Sequence, residues 1–279
     1  MPSRLAPRPC LAVLATVAIG AFTGGPLAAQ IDYRNLDEGR PVETEDAYPV
    51  ERHAFELVIP YEYENERGPA RTHLVAPELA YGVADNTMLG LVLPFAALDG
   101  GVGAETEWGF GGPRLFALYN FNTEGPALPA VALRADASLP IGNLAGNETR
   151  GALTGIATRS WGRTRTHLNA AVGIGADEEG AASEAVHAIP AWRASLGVDR
   201  TFLRQSLLLI SELSLRDATG DADADISVAA GARLQLTPTL VINAGIERRL
   251  TSRAGADIAL SFGLTHAFAI AGLMPAPAR

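Results

Sequence analysis

The chain after residue 50 is a succession of short segments in which apolar and polar residues alternate. In residues 52–64, one set of alternate positions is apolar, namely Phe55, Leu57, Ile59, Tyr61 and Tyr63. The other set carries the charges of Arg52, Glu56, Glu62 and Glu64. Successive side chains of a β-strand point to opposite faces, so this period of two predicts a strand with one apolar face and one polar face.

Twelve segments show this alternation, with almost no helical periodicity between them. Each has at least about the 9–11 residues that a tilted strand needs to cross a bilayer. An even number of such strands, apolar outward and polar inward, is typical of a transmembrane antiparallel β-barrel. We therefore predict an all-β barrel of twelve strands: Arg52–Glu64, Thr72–Val83, Thr87–Ala97, Phe110–Phe121, Leu128–Leu139, Ala152–Trp161, Thr164–Ile174, Trp192–Phe202, Ser206–Arg216, Ile226–Leu236, Leu240–Leu250 and Asp257–Phe268.

The connections between these segments alternate in length. Short ones follow the even-numbered strands, as at residues 84–86 and 162–163, and mostly longer ones follow the odd-numbered strands, as at 98–109 and 175–191. Bacterial barrels have short periplasmic turns and longer extracellular loops, so both termini should be periplasmic.

Prolines within the predicted strands need an explanation, because a closed barrel has no free edge at which a missing N–H is harmless. We expect them at bulges or at strand ends: Pro60, Pro77, Pro94, Pro113 and Pro129.

The sequence divides into four predicted regions. Residues 1–29 have the features of a secretory signal peptide, with Arg4 and Arg8 before an apolar stretch that runs from Cys10 to Phe22. Residues 30–50 are acidic and polar, and we expect an extended segment on the periplasmic side; whether it plugs the lumen stays open. Residues 51–270 form the barrel, and residues 271–279 form a C-terminal tail.

Net charge and hydropathy limit which cellular location and which binding partners the sequence allows. The formal net charge of −9 becomes −11 when the two signal-peptide arginines are removed, so the basic patch that nucleic-acid binding requires is lacking. No window of the mature chain offers the ~18 uncharged apolar residues of a transmembrane helix. We therefore predict a protein of the Gram-negative outer membrane, in contact with lipid and lipopolysaccharide but not with nucleic acid.

Charged side chains recur on the predicted inward faces, where arginines and carboxylates nearly balance. Neighbouring strands could pair them into a salt-bridge ladder that fills a narrow lumen. Alternatively, they could form a polar path for a solute, and twelve strands enclose enough space for both. The predicted lumen-lining residues are Arg52, Glu56, Glu78, Arg114, Arg134, Asp136, Arg165, His167, Arg193, Asp199, Glu212, Arg216, Arg233, Glu247 and Arg249.

A hydrolytic site is the main catalytic alternative to a channel. His167 and Asn169 share a strand face, and Ser160 and Ser195 lie on the adjoining strands, but no Gly-x-Ser-x-Gly or His-x-Ser-Asn signature accompanies them. The Asp-x-Asp-x-Asp run at residues 221–225 lacks the glycine and glutamate of a calcium loop. We predict no catalytic residue, no metal ion and no cofactor.

Several motifs resemble one known family. They are Arg-Pro-Val-Glu-Thr-Glu-Asp-Ala-Tyr-Pro at residues 40–49, Pro-Glu-Leu-Ala-Tyr-Gly-Val at 77–83, Leu-Val-Leu-Pro at 91–94 and Gly-Gly-Pro-Arg-Leu at 111–115. Together they resemble the outer-membrane proteins of the meta-pathway phenol-degradation family, although Gly112-Pro113 stands where that family has Gly-Asp. The resemblance implies a barrel and the uptake of aromatic compounds, and it brings no catalytic or binding residues.

The sequence thus predicts an outer-membrane channel or uptake protein for small solutes, not an enzyme. Two alternatives from other classes stay open. One is a lipid-modifying barrel enzyme, and the other is a structural or adhesive barrel that acts through its acidic loops.

Overall fold

The computed structural model describes residues 32–38, 40–66, 69–101, 103–175, 189–203, 206–217, 224–251 and 256–274. The predicted signal peptide, the acidic residues at 177–184 and Asp221 and Asp223 lie outside the described residues.

The described residues form fifteen β-strands in a single antiparallel sheet. The sheet closes because the first strand pairs with the last, from Ala54↔Ala269 to Glu66↔Ala256. The strands are β1 Ala54–Glu66, β2 Arg71–Val75, β3 Glu78–Ala84, β4 Thr87–Val92, β5 Phe95–Asp99, β6 Glu107–Phe110, β7 Arg114–Asn122, β8 Ala130–Ser138, β9 Arg150–Trp161, β10 Thr164–Ile174, β11 Trp192–Phe202, β12 Leu207–Arg216, β13 Asp225–Thr237, β14 Leu240–Arg249 and β15 Ala256–Ala269. A short 3-10 helix, Ala271–Leu273, follows.

The fifteen strands make twelve barrel strands, because three pairs of them are collinear. Strands β2 and β3 both pair with β1, while β2 continues the ladder to β5 and β3 continues it to β4. In the same way, β6 extends the ladder from β5 and β7 extends it from β4. The predicted twelve-stranded antiparallel barrel is confirmed.

Prolines account for the three interruptions. Pro77 lies between β2 and β3, Pro94 between β4 and β5, and Pro113 between β6 and β7. Pro129 immediately precedes β8, and Pro60 lies opposite the break between β2 and β3. These positions agree with the prediction, since proline cannot donate the hydrogen bond that a continuous ladder requires.

The two faces of the wall differ as the alternation predicts. On β12, the outward side chains of Leu209 and Leu213 are 44% and 40% exposed, whereas the inward Leu208 and Ile210 are buried. The same exposed apolar surface continues around the barrel, for example at Leu89, Leu168, Val172, Leu196 and Phe262. No helix among the described residues is both long and apolar enough to cross a membrane.

The two ends of the barrel differ in their connections. Short turns join β3 to β4, β9 to β10 and β13 to β14, and we call this end the turn end. The connections at residues 139–149 and 175–191 are longer, and we call their end the loop end. Strand β1 begins and β15 finishes at the turn end. The predicted alternation of short and long connections is therefore confirmed.

Residues 32–50 form an internal segment that lies inside the barrel. It enters at the turn end, where the Tyr33 hydroxyl is 3.3 Å from the Thr201 hydroxyl. It then reaches the loop-end half, where Glu43 contacts Arg193, and it returns to Gly82 at the turn end. We expected an extended segment on the periplasmic side and left open whether it plugs the lumen; in the structure, residues 32–50 lie inside the barrel. Its apolar side chains pack against the inner wall in one cluster, with Leu36, Val42 and Ala47 buried.

Two glycines of the wall make room for the internal segment. A Cβ atom on Gly245 would lie 2.1 Å from the carbonyl oxygen of Pro41, and a Cβ atom on Gly231 would lie 2.5 Å from the Pro41 Cβ. Any larger residue would collide with the segment, so the bare backbone of β13 and β14 allows its close approach.

Candidate functional site

The internal segment is held mainly by arginines of the barrel wall. Near the loop end, Arg193 donates to the carboxylates of both Glu38 and Glu43. Arg114 lies 3.6 Å from the other Glu38 oxygen. With Arg134, three wall arginines converge on Glu38, the residue at which the segment approaches the loop-end half of the lumen.

Arg134 of β8 is a deeply buried anchor. Its guanidinium donates to Asp136 at 2.9 Å and to Glu45 at 3.0 Å, and it lies 3.2 Å from Glu38. It also stacks on the ring of Phe116, 3.9 Å from the ring centroid. A buried charge is costly unless it is paired and hydrogen-bonded. Glu38 and Glu45 of the segment therefore help to offset the cost of burying the Arg134 guanidinium.

A second cluster lies around Arg165 near the turn end. Its guanidinium contacts Asp199 of β11 at 2.6 Å and Asp46 of the segment at 3.0 Å. It also donates to the carbonyl oxygen of Arg34. Because one guanidinium bridges the wall and both arms of the segment, Arg165 fixes the position of the segment relative to β10 and β11.

Two more buried ion pairs complete the attachment. Arg233 of β13 contacts Asp37 at 3.2 Å. In the reverse arrangement, Arg40 of the segment contacts Glu78 of β3 at 2.5 Å. Charge pairs thus connect the segment to opposite sides of the barrel, and charged groups hydrogen-bonded in this way are stronger than neutral ones.

The returning arm of the segment also uses its backbone. The N–H groups of Thr44, Glu45 and Ala47 donate to Glu212 at 2.5 Å, to Asn169 at 2.7 Å and to Thr158 at 3.0 Å. A buried backbone N–H must find an acceptor, and the polar side chains of the inner wall supply it. The segment is therefore docked along its length.

Burial changes the acidity of the segment's carboxyl groups. It raises the pKa of Glu45 to about 8, with Arg134 opposing the shift and Glu38 and Asp136 adding to it. Burial also raises the pKa of Asp46, against the opposing charge of Arg165. For Glu38, burial acts upward as well, but Arg134, Arg193 and Arg114 outweigh it and lower the pKa.

Fourteen of the fifteen side chains predicted to face the lumen lie on inward positions. Four of them are half-buried: Arg114, Arg193, Arg216 and Glu247. The others are buried: Glu56, Glu78, Arg134, Asp136, Arg165, His167, Asp199, Glu212, Arg233 and Arg249. Their role in a solute path stays a prediction, since many of them contact the internal segment.

Arg52 is the exception. Strand β1 begins only at Ala54, after His53 adopts a positive φ of 68°. Arg52 therefore precedes the barrel strand at the turn end, where its backbone bridges Gly82 and its side chain is more than half exposed, with Asp85 of the turn 3.9 Å away. The prediction that Arg52 lines the lumen is wrong, because the strand starts two residues later than the alternation indicates.

Two of the four residues considered for hydrolysis, Asn169 and Ser195, dock the segment. Asn169 bonds Glu45, and the Ser195 hydroxyl lies 2.8 Å from the Thr44 hydroxyl. His167 bridges Thr158 at 3.1 Å and Asp199 at 3.0 Å, which is a hydroxyl–imidazole–carboxylate series.

That series is buried, and its hydroxyl oxygen accepts the Ala47 N–H, so a substrate could not approach it while the segment is docked. Within the described part of the chain, no group of three or more His, Cys, Asp or Glu residues could hold a metal ion.

Sequence reasoning missed the half of the site that the internal segment contributes. The segment's docking residues are Asp37, Glu38, Arg40, Glu43, Glu45 and Asp46. One signal was present, since this acidic stretch precedes a barrel whose inward faces carry arginines. Without strand periodicity, however, nothing in the sequence indicated where the stretch lies.

The comparisons bear on the fold. No protein-family model matches the sequence, and no curated protein sequence matches it. The structure is similar to an outer-membrane channel from Pseudomonas putida F1, with a TM-score of 0.64, 16% identity, and coverage of 84% of this chain and 100% of that one. The fold is that of an outer-membrane β-barrel.

Two porin structures are similar to a smaller degree. The KdgM porin, solved in complex with oligogalacturonate, has a TM-score of 0.52 at 14% identity, with 76% of this chain and 99% of that chain covered. The NanC porin has a TM-score of 0.51 at 10% identity, with 75% and 98% covered. At these identities the similarity is one of fold.

Proposed function

We propose that this protein is an outer-membrane channel for small solutes whose lumen is closed by its own residues 32–50. The observation that carries the proposal is the docking of this internal segment along a charged inner wall. A barrel with a purely structural role needs no such separable filling, because side chains of the wall can fill a small lumen themselves. A segment held by ion pairs and hydrogen bonds can leave without breaking the barrel ladder.

The orientation follows from the connections. Short turns face the periplasm in bacterial barrels, so the turn end is periplasmic and the loop end is extracellular. The internal segment therefore enters from the periplasm, and both termini are periplasmic. The outward apolar surface contacts lipid, and lipopolysaccharide surrounds the loop end.

The resemblance to the meta-pathway phenol-degradation family supports aromatic compounds among the solutes. A non-enzymatic role is supported by the similarity of the fold to channel and porin structures. The inward arginines and carboxylates are the proposed lining of the solute path once the segment has moved.

Single-channel recording in planar bilayers tests the proposal. A variant that lacks residues 32–50 should conduct several-fold more current than the full mature chain, because the deletion removes the material that fills the lumen. Heat-modifiable migration in gel electrophoresis reports whether the deleted variant still folds as a barrel. A folded deletion variant without conductance at any voltage would contradict the channel function.

A substitution gives the same test without shortening the chain. Gly245→Val places a side chain where the Pro41 carbonyl now lies, so the segment should undock and the conductance should rise. Gly155→Val is the matched control, since a Cβ atom there comes no closer than 3.9 Å to the nearest carbonyl oxygen. Equal conductance of the two variants would argue against closure by the segment.

A further inference from the structure

A cavity of about 280 Å³ lies at the turn end of the lumen, between the internal segment and the wall. Ala54, Glu56 and Ala267 line it from β1 and β15, and Ser160 and Arg165 line it from β9 and β10. In a twelve-stranded barrel these two pairs of strands lie on opposite sides, so the cavity extends across the lumen. Its size is close to the lower end of small-molecule pockets, at ~300 Å³.

Carboxylates outnumber arginines in this cavity. Its two arginines are already engaged, Arg34 with Asp32 at 3.1 Å and Arg165 with Asp199 and Asp46. The carboxylates of Glu51 and Glu56 also line the cavity, without an arginine of their own among its lining residues. Acidic side chains are therefore in excess among the lining residues, although the wall as a whole is nearly balanced.

Glu56 is the decisive group. It is only 4% exposed, and it makes no hydrogen bond or ion pair to any other described residue. Four charged groups act on Glu56 most strongly, and they form two ion pairs with each other, Asp37–Arg233 and Arg40–Glu78. Each arginine is therefore already paired with another carboxylate. A buried carboxyl group without a partner is costly, so a cation that reaches it would bind favourably.

Apart from Asn35 and Ser160, the rest of the lining is apolar. Tyr48, Pro49 and Val50 of the internal segment and Ala54 and Ala267 of the wall provide hydrocarbon and one aromatic ring. Such surfaces contact the hydrocarbon part of a small solute, and a tyrosine ring attracts an adjacent cation. An inorganic cation would use only the carboxylates, whereas an organic amine uses both parts.

We propose that this cavity binds small primary amines, with the ammonium group at Glu56 and the hydrocarbon body along Tyr48, Val50 and Ala54. The inference deepens the proposed channel function, because it makes organic cations a class of solute that pauses at the periplasmic end of the path. The binding itself does not depend on conduction.

Isothermal titration calorimetry on the mature chain in detergent tests the inference with three probes that share one hydrocarbon body. These are 2-phenylethylamine, 2-phenylethanol and phenylacetate. The amine should bind at least about tenfold more tightly than the alcohol, and phenylacetate should bind more weakly still. Comparable binding of all three probes, or displacement of the amine by an equal concentration of sodium ions, would overturn the proposal.

The variant Glu56→Gln assigns the binding to this site. It should weaken the binding of the amine by about tenfold or more and leave the affinity for the alcohol unchanged, since it removes only the charge. Glu107→Gln, at an exposed position of β6 outside the cavity, is the matched control and should change neither. Full amine affinity in folded Glu56→Gln would also overturn the proposal. If that variant does not fold, the three-probe comparison on the unaltered chain still decides.

The two proposals can fail separately. A protein that prefers the amine but carries no current in any variant would contradict the channel function alone. A protein that conducts after deletion of residues 32–50, while the full chain shows no preference for the amine, would contradict the amine site alone.

Discussion

At the scale of single residues, arginines and carboxylates decide how the lumen is filled. The alternation predicted that Arg134 and Asp136 point inward, and both do. It could not predict that Glu38 and Glu45 complete the cluster, because their stretch of chain has no period that assigns its side chains to a face. Because arginines and carboxylates nearly balance along the wall, we expected them to pair between neighbouring strands. Arg193 instead pairs with Glu38 and Glu43 of the internal segment.

Glu45 makes the docking of the segment dependent on pH. Burial raises its pKa to about 8, above the ordinary carboxyl value, so its contribution to docking is fully present at low pH and is lost as the pH rises through about 8. The groups around it are Arg134, Glu38 and Asp136. We therefore expect the open fraction in single-channel records to increase from the ordinary glutamate pKa of about 4.3 up to about pH 8 and to change little above it.

Two variants check this assignment. Glu45→Gln keeps the group neutral, so its open fraction should stay low over the same pH range. Glu105→Gln removes a carboxylate from an exposed loop and should show the same increase as the unaltered protein. An identical pH response in Glu45→Gln and the unaltered protein would show that another group titrates.

At the scale of elements, the strands were the most predictable part of the molecule. Period-two alternation gave their number and their faces, because the lipid and the lumen demand opposite chemistry on the two sides of one strand. The breaks at Pro77, Pro94 and Pro113 were expected only as irregularities. Neighbouring carbonyls keep the ladder connected across them, since Leu93 donates to Pro77 and Gly111 donates to Pro94.

The lipid-facing side of β11 allows an energetic prediction. Leu196 lies at the middle of the strand and is 48% exposed outward. Leu196→Arg should lower the free energy of unfolding from bilayers by ~2–4 kcal/mol, because an arginine near the midplane must enter hydrocarbon. Denaturant titration in lipid vesicles measures this change.

Leu236→Arg is the matched control for that experiment. Leu236 is also an outward leucine, but it lies next to the turn between β13 and β14. Near the interface the same substitution should cost only ~0–1 kcal/mol. Equal costs at the two positions would mean that the exposed surface is not the lipid-facing one.

At the scale of the whole molecule, the protein is a closed barrel that contains part of its own chain. The barrel follows from local pattern and could be predicted. The internal segment could not, since its position depends on contacts such as Asp37 with Arg233, which lie 196 residues apart in the chain. Only the folded barrel brings these partners together.

A removable tether tests most directly whether the internal segment closes the lumen. The hydroxyl oxygens of Thr44 and Ser195 lie 2.8 Å apart, and the only cysteine of the chain, Cys10, lies in the predicted signal peptide. Thr44→Cys with Ser195→Cys should form a disulfide that holds the segment in place. Ser214→Cys with Ser227→Cys, whose hydroxyls lie 2.5 Å apart, joins two wall strands and serves as the control.

The measurement is single-channel current before and after addition of a reducing agent. The Thr44→Cys/Ser195→Cys protein should be silent when oxidised and should show openings when reduced, because only the released segment can leave the lumen. The wall-to-wall pair should show openings in both states. Undiminished current through the oxidised Thr44→Cys/Ser195→Cys protein, with the disulfide verified by mass spectrometry, would contradict closure by residues 32–50.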